Sequence, residues 1–251
     1  MNVWGITDRG VIREQNQDAF AHQVLPDGRV LALVCDGMGG ARAGNVASTM
    51  AVDIIMDEFL AEEEGARTLD SLKAAAALAN RRIFQRAAGE ESCAGMGTTL
   101  VAALADGEEA LILNEGDSRA YHLSEEGGIV RVTRDHSLVE DLVQRGELTR
   151  EQARTHPHKN LITRALGAEP ELRADVFRQP LAAGDYLLLC SDGLSNVVSE
   201  QELLYEVVHG GEACTCCRRL LEIALHRGAP DRPVRANLYG KEKIYHGSVH
   251  W

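Results

Sequence analysis

Two short segments of this chain, more than half its length apart, read almost alike. One is Leu31-Ala32-Leu33-Val34-Cys35 followed by Asp36-Gly37; the other is Tyr186-Leu187-Leu188-Leu189-Cys190 followed by Ser191-Asp192-Gly193. Each is an apolar run of strand length that stops at an acidic residue and a glycine, as a buried strand does when it delivers its last side chain to the rim of a core. Two such strands can bring two carboxylates to one place, where they repel unless a cation sits between them. A single Asp-Gly after an apolar run is also a common hairpin turn. The repetition of the pattern, with Asp117 in Asn114-Glu115-Gly116-Asp117-Ser118-Arg119 and Asp231 further on, favours metal ligands over turns.

The chain has 251 residues, 45% of them hydrophobic, which suits one large globular domain or two small ones. A formal net charge of −12 argues against long-range attraction to nucleic acid or an anionic membrane. The N-terminal Met1-Asn2-Val3-Trp4-Gly5 has neither a basic region nor an apolar stretch, so no signal peptide is expected. No apolar run approaches the ~20 residues needed to span a bilayer. A cytoplasmic protein is the expectation, and disulfides among its six cysteines are not. Cys35 and Cys190 read as small core residues. Cys214, Cys216 and Cys217 crowd one segment without a second Cys/His pair at zinc spacing.

Periodicity orders the rest. Strands are expected over 2–8, 17–24 and 29–35, then a helix over 45–61 with Ala47, Ala51, Ile55 and Phe59 at helical spacing, and a second over 69–88. Short strands are expected over 98–105, 109–114, 118–123 and 129–133, parted by glycine turns. Residues 135–167 are polar and weakly helical, an excursion from the core. Strands return over 172–178 and 185–190, and helices over 200–208 and 213–227. Strands in runs with helices in separate pairs indicate an α+β architecture with antiparallel sheets.

Asp36, the Gly37 carbonyl, Asp192 and Asp231 form an oxygen-only donor set that suits Mg²⁺ or Mn²⁺ rather than zinc or copper. Two ions ~3.5–4 Å apart, sharing Asp36 and a water, would acidify that water for in-line attack on phosphorus. No protein nucleophile is then needed, and no Ser–His–Asp or Cys–His arrangement stands out. Arg13 can grip a phosphate through its guanidinium fork, although an arginine beside a strand is more often a solvated charge.

Several motifs, in order, resemble the bacterial metal-dependent protein phosphatases, the type 2C Ser/Thr phosphatases. They are Thr7-Asp8-Arg9-Gly10 with Arg13 and Asn16-Gln17-Asp18; Val34 to Gly40; Gly97-Thr98-Thr99; Gly116 to Tyr121; Thr133 to Ser137; Ile162 to Gly167; Ser191 to Leu194; and Gly228-Ala229-Pro230-Asp231. The resemblance implies a four-layer α-β-β-α sandwich, two antiparallel sheets with a helix pair outside each. It implies that Asp36, Gly37, Asp192 and Asp231 hold two central metals and that Asp117, with Asp192 shared, holds a third. It puts Asp18 beside the metal waters, Arg13 on the substrate phosphate, and residues of about 137–165 in a flap over the substrate. The implied activity is Mg²⁺/Mn²⁺-dependent hydrolysis of phosphoserine and phosphothreonine in proteins, reversing a bacterial Ser/Thr kinase, by a monomer.

Two positions depart from the pattern. Met38 stands where many eukaryotic members carry a histidine proposed as general acid, which leaves a metal-bound water for that role; His136 is the other candidate, with a structural role as its alternative. After Asp231 the family continues with asparagine and an apolar strand in the middle of a sheet, whereas this chain continues Arg232-Pro233-Val234-Arg235-Ala236-Asn237. Pro233 lacks the N–H that a ladder needs. The expectation is therefore a phosphatase domain over 1–231 and an atypical tail over 232–251. A missing central strand would cost several kcal/mol, on a scale of ~1.5–3 kcal/mol per buried aliphatic side chain. A catalytically impaired relative acting as a phosphoprotein-binding regulatory module is the alternative function. A third is a phosphatase of the same fold dedicated to one partner, such as an anti-sigma-factor antagonist.

Overall fold

The structure, a computed structural model, describes residues 2–8, 16–39 and 43–227, and the backbone of 234–240. In chain order the strands are β1 (Asn2–Asp8), β2 (Asp18–Val24), β3 (Val30–Met38), β4 (Gly97–Thr98), β5 (Leu100–Ala105), β6 (Glu109–Glu115), β7 (Arg119–Ser124), β8 (Gly128–Arg131), β9 (Asp175–Pro180), β10 (Tyr186–Cys190) and β11 (Val234–Gly240). The helices are α1 (Ala43–Ala61), α2 (Leu69–Gly89), α3 (Leu138–Gln144), α4 (Arg150–Thr155), α5 (Asp192–Ser195), α6 (Glu200–His209) and α7 (Ala213–His226). One antiparallel sheet runs β1-β11-β10-β7-β8; the other runs β2-β3-β5-β6-β9, with β4 paired to β3.

The unbroken apolar runs are explained by two-sided burial. Leu31, Leu33 and Cys35 of β3 pack under α1 and α2 with Ala47, Ile55 and Phe59. Val30, Ala32 and Val34 face the opposite way and meet Leu187 and Leu189 of β10 in the seam between the sheets. Leu188 and Cys190, with Tyr121 and Leu123 of β7, face α6 and α7. This is the four-layer α-β-β-α sandwich. Where one face of a strand meets helices and the other meets a second sheet, no position is left for a polar residue.

Element limits move by a few residues from the sequence expectation, and three differences matter. The stretch expected as one strand over 98–105 is divided between β4 and β5, because Gly37 and Met38 pair with Thr98 and Gly97 while Val34 pairs with Val101. The strand expected over 172–178 lies at Asp175–Pro180. The third is a correction. The central strand expected to be missing is present: β11 pairs with β1 from Asp8↔Val234 to Asn2↔Gly240, and with β10 from Cys190↔Ala236 to Tyr186↔Gly240. Val234, Ala236 and Leu238 alternate with Arg235, Asn237 and Tyr239, a period of two that outweighs the mixed polarity. Pro233 lies outside the described residues, and the paired strand begins at Val234.

Candidate metal centre

Neither Asp-Gly is a hairpin turn. β3 continues through Asp36 and Gly37 to Met38, and Asp192-Gly193 opens α5 directly after β10. The backbone of Asp36 is clamped to Thr99: the Asp36 N–H donates to Thr99 Oγ1 at 2.9 Å, and the Thr99 N–H donates to the Asp36 carbonyl at 2.9 Å. Thr99 Oγ1 also lies 2.7 Å from Ser118 Oγ in a buried hydroxyl pair. The residue bearing Asp36 is thereby coupled to the one next to Asp117.

Gly37 is fixed by close approach. Its N–H donates to the Gln17 carbonyl at 3.0 Å, and a Cβ at this position would stand 2.0 Å from the Gly44 carbonyl oxygen. The same carbonyl of Gln17 accepts from Ser48 Oγ of α1 at 2.6 Å. The start of β2, the end of β3 and the first turns of α1 are thus sewn together.

Asp18 lies directly across the β2–β3 ladder from Asp36. It is buried, and its Oδ2 accepts from Ser191 Oγ at 3.0 Å. Ser191 belongs to the other layer of the sandwich and immediately precedes Asp192, so this bond closes the seam where the two sheets' acidic ends meet. Asp192, also buried, accepts from Asn196 Nδ2 at 3.3 Å.

Asp117 is set by the turn before it. Gly116 has φ +113°, and a Cβ there would come within 2.6 Å of Thr99 Cγ2, so glycine is required. The Gly116 N–H donates to His136 Nδ1 at 3.1 Å and the Gly116 carbonyl accepts from the His136 N–H at 2.9 Å. With Nδ1 accepting, the imidazole proton sits on Nε2, 3.3 Å from Asp175 Oδ2. Burial holds the His136 pKa below the ordinary imidazole value, although Asp175 pulls it up. One ring nitrogen is thus engaged with the Gly116 turn and the other with Asp175 of β9, contacts that a structural role for His136 calls for.

The polar excursion is organised by one carboxylate. Glu140 of α3 is buried and accepts from Arg131 at 3.2 Å, Gln144 at 3.2 Å and Arg150 at 3.3 Å. Arg131 also pairs with Asp135, which Arg119 grips through Nε and Nη2 at 3.0 and 2.7 Å. This chain of ion pairs joins β7, beside β10, to α3 and α4.

Of the sequence-derived site residues, the structure thus brings Asp18 opposite Asp36, links Asp18 through Ser191 to the start of the Asp192 turn, and couples Asp117 to Asp36 through Ser118 and Thr99. Arg13 and Asp231 lie outside the described residues. Among the described residues no three His, Cys, Asp or Glu side chains cluster closely enough to surround an ion. The donor chemistry still fits a hard cation. It is all oxygen, partly or fully buried, and drawn from chain ends rigidly held by backbone bonds; Mg²⁺ and Mn²⁺ complete such shells with water. The hydroxyls of Thr99, Ser118 and Ser191, which hold the acidic residues in place, escaped assignment from the sequence. Their signal was only that polar residues stood within or beside apolar strands.

Comparison with known proteins agrees with this geometry. Residues 12–218 match the family described as protein phosphatase 2C. Over 201 residues the chain is 42% identical to the serine/threonine phosphatase stp of Listeria welshimeri, covering 78% of this chain and 79% of that protein. The crystal structure of serine/threonine phosphatase Stp1 from Staphylococcus aureus superposes with a TM-score of 0.89 at 35% identity, over 96% of this chain and 94% of that one. The catalytic domain of serine threonine protein phosphatase PstP, solved in complex with 2 manganese ions, gives a TM-score of 0.82 at 34% identity, over 94% of this chain and 96% of that one.

Proposed function

Because this chain belongs to the protein phosphatase 2C family, we propose that it hydrolyses phosphoserine and phosphothreonine in proteins, with Mn²⁺ or Mg²⁺ as cofactor. The observation that carries the reading is the Asp18–Ser191 bond. It joins the paired Asp18 and Asp36 of one sheet to the residue before Asp192 on the other, and so gathers acidic residues from both sheets at one rim. The manganese seen in the related PstP domain supports the choice of metal.

Asp36, the Gly37 carbonyl, Asp192 and Asp231 would hold two ions, and Asp117 with Asp192 a third. Bound there, the ions would supply positive charge against the phosphoryl oxygens and lower the pKa of a water. Asp18, held by Ser191, orients water at the rim by accepting its hydrogen bonds. Arg13 binds two phosphoryl oxygens through its fork and sets the phosphorus in line for attack. The Thr99–Ser118 pair and the Gln17–Gly37–Ser48 knot keep these groups from shifting as charge changes during reaction. The enzyme acts as a cytoplasmic monomer on the products of a Ser/Thr protein kinase. Among the described residues no helix is long and apolar enough to cross a membrane. The pairing of β11 on both sides weighs against the regulatory-module alternative, which Mn²⁺ binding without turnover would favour.

The test is Mn²⁺-dependent release of p-nitrophenol from p-nitrophenyl phosphate by the purified chain, beside Asp36→Asn. Metal-dependent turnover that disappears in the variant is the expected result. A folded chain that binds Mn²⁺ and releases no product would overturn the reading.

A further inference from the structure

Between α3, α4 and the turn after α5 lies a cleft of about 860 Å³. Asn196 lines it and donates to Asp192, one hydrogen bond from the candidate metal centre. The walls are strongly basic for a chain of net charge −12: among the described residues they carry seven arginines and lysines to four acidic residues. Most of these cations are already engaged. Arg119, Arg131 and Arg150 neutralise Asp135 and Glu140, Arg227 pairs with Glu202, and Arg134 reaches Asp175. Arg154 and Lys159 are different. Both are exposed, and neither makes an ion pair among the described residues.

Their positions are held. Arg154 is in the last turn of α4, which is closed at its start by reciprocal bonds between Thr149 and Gln152 at 3.2 and 2.8 Å. Lys159 follows in the turn His156–Leu161, where its N–H donates to the His156 carbonyl at 3.1 Å. Two cations lining a cleft that Asn196 also lines form a site for negative charge at some distance from the reacting phosphate.

We infer that Arg154 and Lys159 select phosphoprotein segments in which acidic residues flank the phosphorylated residue. The inference rests on the phosphatase reading and narrows its substrate class. An extended peptide advances ~3.3 Å per residue, so residues flanking a phosphoresidue bound at the metal centre extend along the adjoining cleft that Asn196, Arg154 and Lys159 line together. The overall negative charge of the chain repels such a peptide in the bulk, which leaves the two local cations to decide the preference.

The experiment uses the full chain with Mn²⁺ and two phosphothreonine peptides of equal length, one with two aspartates on each side of the phosphothreonine and one with two alanines. The readout is the ratio of their kcat/KM values, in the parent chain, in the double variant Arg154→Glu with Lys159→Glu, and in the milder Arg154→Gln with Lys159→Gln. The expected ratio favours the acidic peptide about tenfold at low salt and shrinks toward one at 0.5 M NaCl as the exposed charges are screened. It falls to about one in the glutamine variant and inverts in the glutamate variant. Equal kcat/KM for the two peptides in the parent chain, or a preference surviving both variants, overturns the inference. Fluorescence anisotropy of the same labelled peptides makes the test independent of turnover. A chain that turns over neither peptide but binds the acidic one more tightly, through Arg154 and Lys159, keeps this inference and loses the phosphatase reading; equal binding loses both.

Discussion

At the scale of single residues, the site is a set of acidic groups held by neighbours that have no chemistry of their own. Replacing Asp36 or Asp192 by asparagine removes a charge from the shared metal site. Each variant is expected to lose turnover altogether and to bind Mn²⁺ at least tenfold more weakly by calorimetry, with its thermal midpoint in EDTA slightly raised because one of the mutually repelling carboxylates is gone. Arg13→Ala is expected to act mainly on KM, because phosphate binding is lost while the metal chemistry is kept; an unchanged KM would remove Arg13 from that role. Gly37→Ala is a different kind of variant. The added methyl collides with the Gly44 carbonyl at 2.0 Å, so α1 must shift away from β3. A loss of about 1–3 kcal/mol in chemical denaturation is expected, the range for overpacking at a rigid contact. Asp36, Asp192 and Asp117 were legible in the sequence because each ends an apolar run or sits in a glycine turn. Thr99, Ser118 and Ser191 were quoted in motifs but not given work, since a hydroxyl that meets another hydroxyl 19 residues away, or a carboxylate 173 residues away, leaves no periodic trace.

At the scale of elements, two-sided burial made β3 and β10 the easiest strands to find, and alternation masked by mixed polarity made β11 the hardest. The proline before it reads as a strand breaker, yet seven residues after it pair in register. β11 is hydrogen-bonded on both sides, so a proline inside it should be far worse than the natural one ahead of it. Leu238→Pro is expected to lower the thermal midpoint markedly because it removes a ladder N–H from a strand paired on both sides, with loss of soluble expression as the alternative sign of the same effect; a normal melting curve would show that the strand contributes nothing. The turn bearing Asp117 depends on His136 from the segment after β8. Its folded-state pKa is lowered by burial, so the unfolded chain takes up a proton more readily. Stability is therefore full above the unfolded imidazole value, ~6.5, and falls as pH drops through that value toward the folded one. Thermal midpoints measured from pH 7.5 to pH 5 are expected to decline in the parent chain and to decline less in His136→Gln, which keeps a hydrogen-bonding side chain without the titration.

At the scale of the whole molecule, two sheets press their apolar faces together and leave their acidic ends at a common rim. The α+β class and the pairing of helices outside each sheet were legible, because the alternation of strand runs and helix pairs determines which faces need cover. Which strand neighbours which was not legible, because register depends on long-range contacts that a local pattern does not carry. Mutual repulsion of the rim carboxylates costs stability that a divalent cation relieves only in the folded state. Mn²⁺ is accordingly expected to raise the thermal midpoint by a few degrees in a concentration-dependent way, an effect absent from Asp192→Asn, and differential scanning calorimetry in EDTA and in 5 mM MnCl₂ would check it.

The order of the strands also governs how the protein comes into being on the ribosome. β1 is made first among the described strands and β11 last, yet β11 lies between β1 and β10. Until Val234–Gly240 emerges, a nascent chain holds two facing strand edges with nothing to join them. Asp231 is synthesised just before that strand. The segment that closes the sheet thus arrives with the last of the proposed metal ligands, so a chain halted before it lacks both the strand that joins β1 to β10 and the ligand that the proposed metal centre needs.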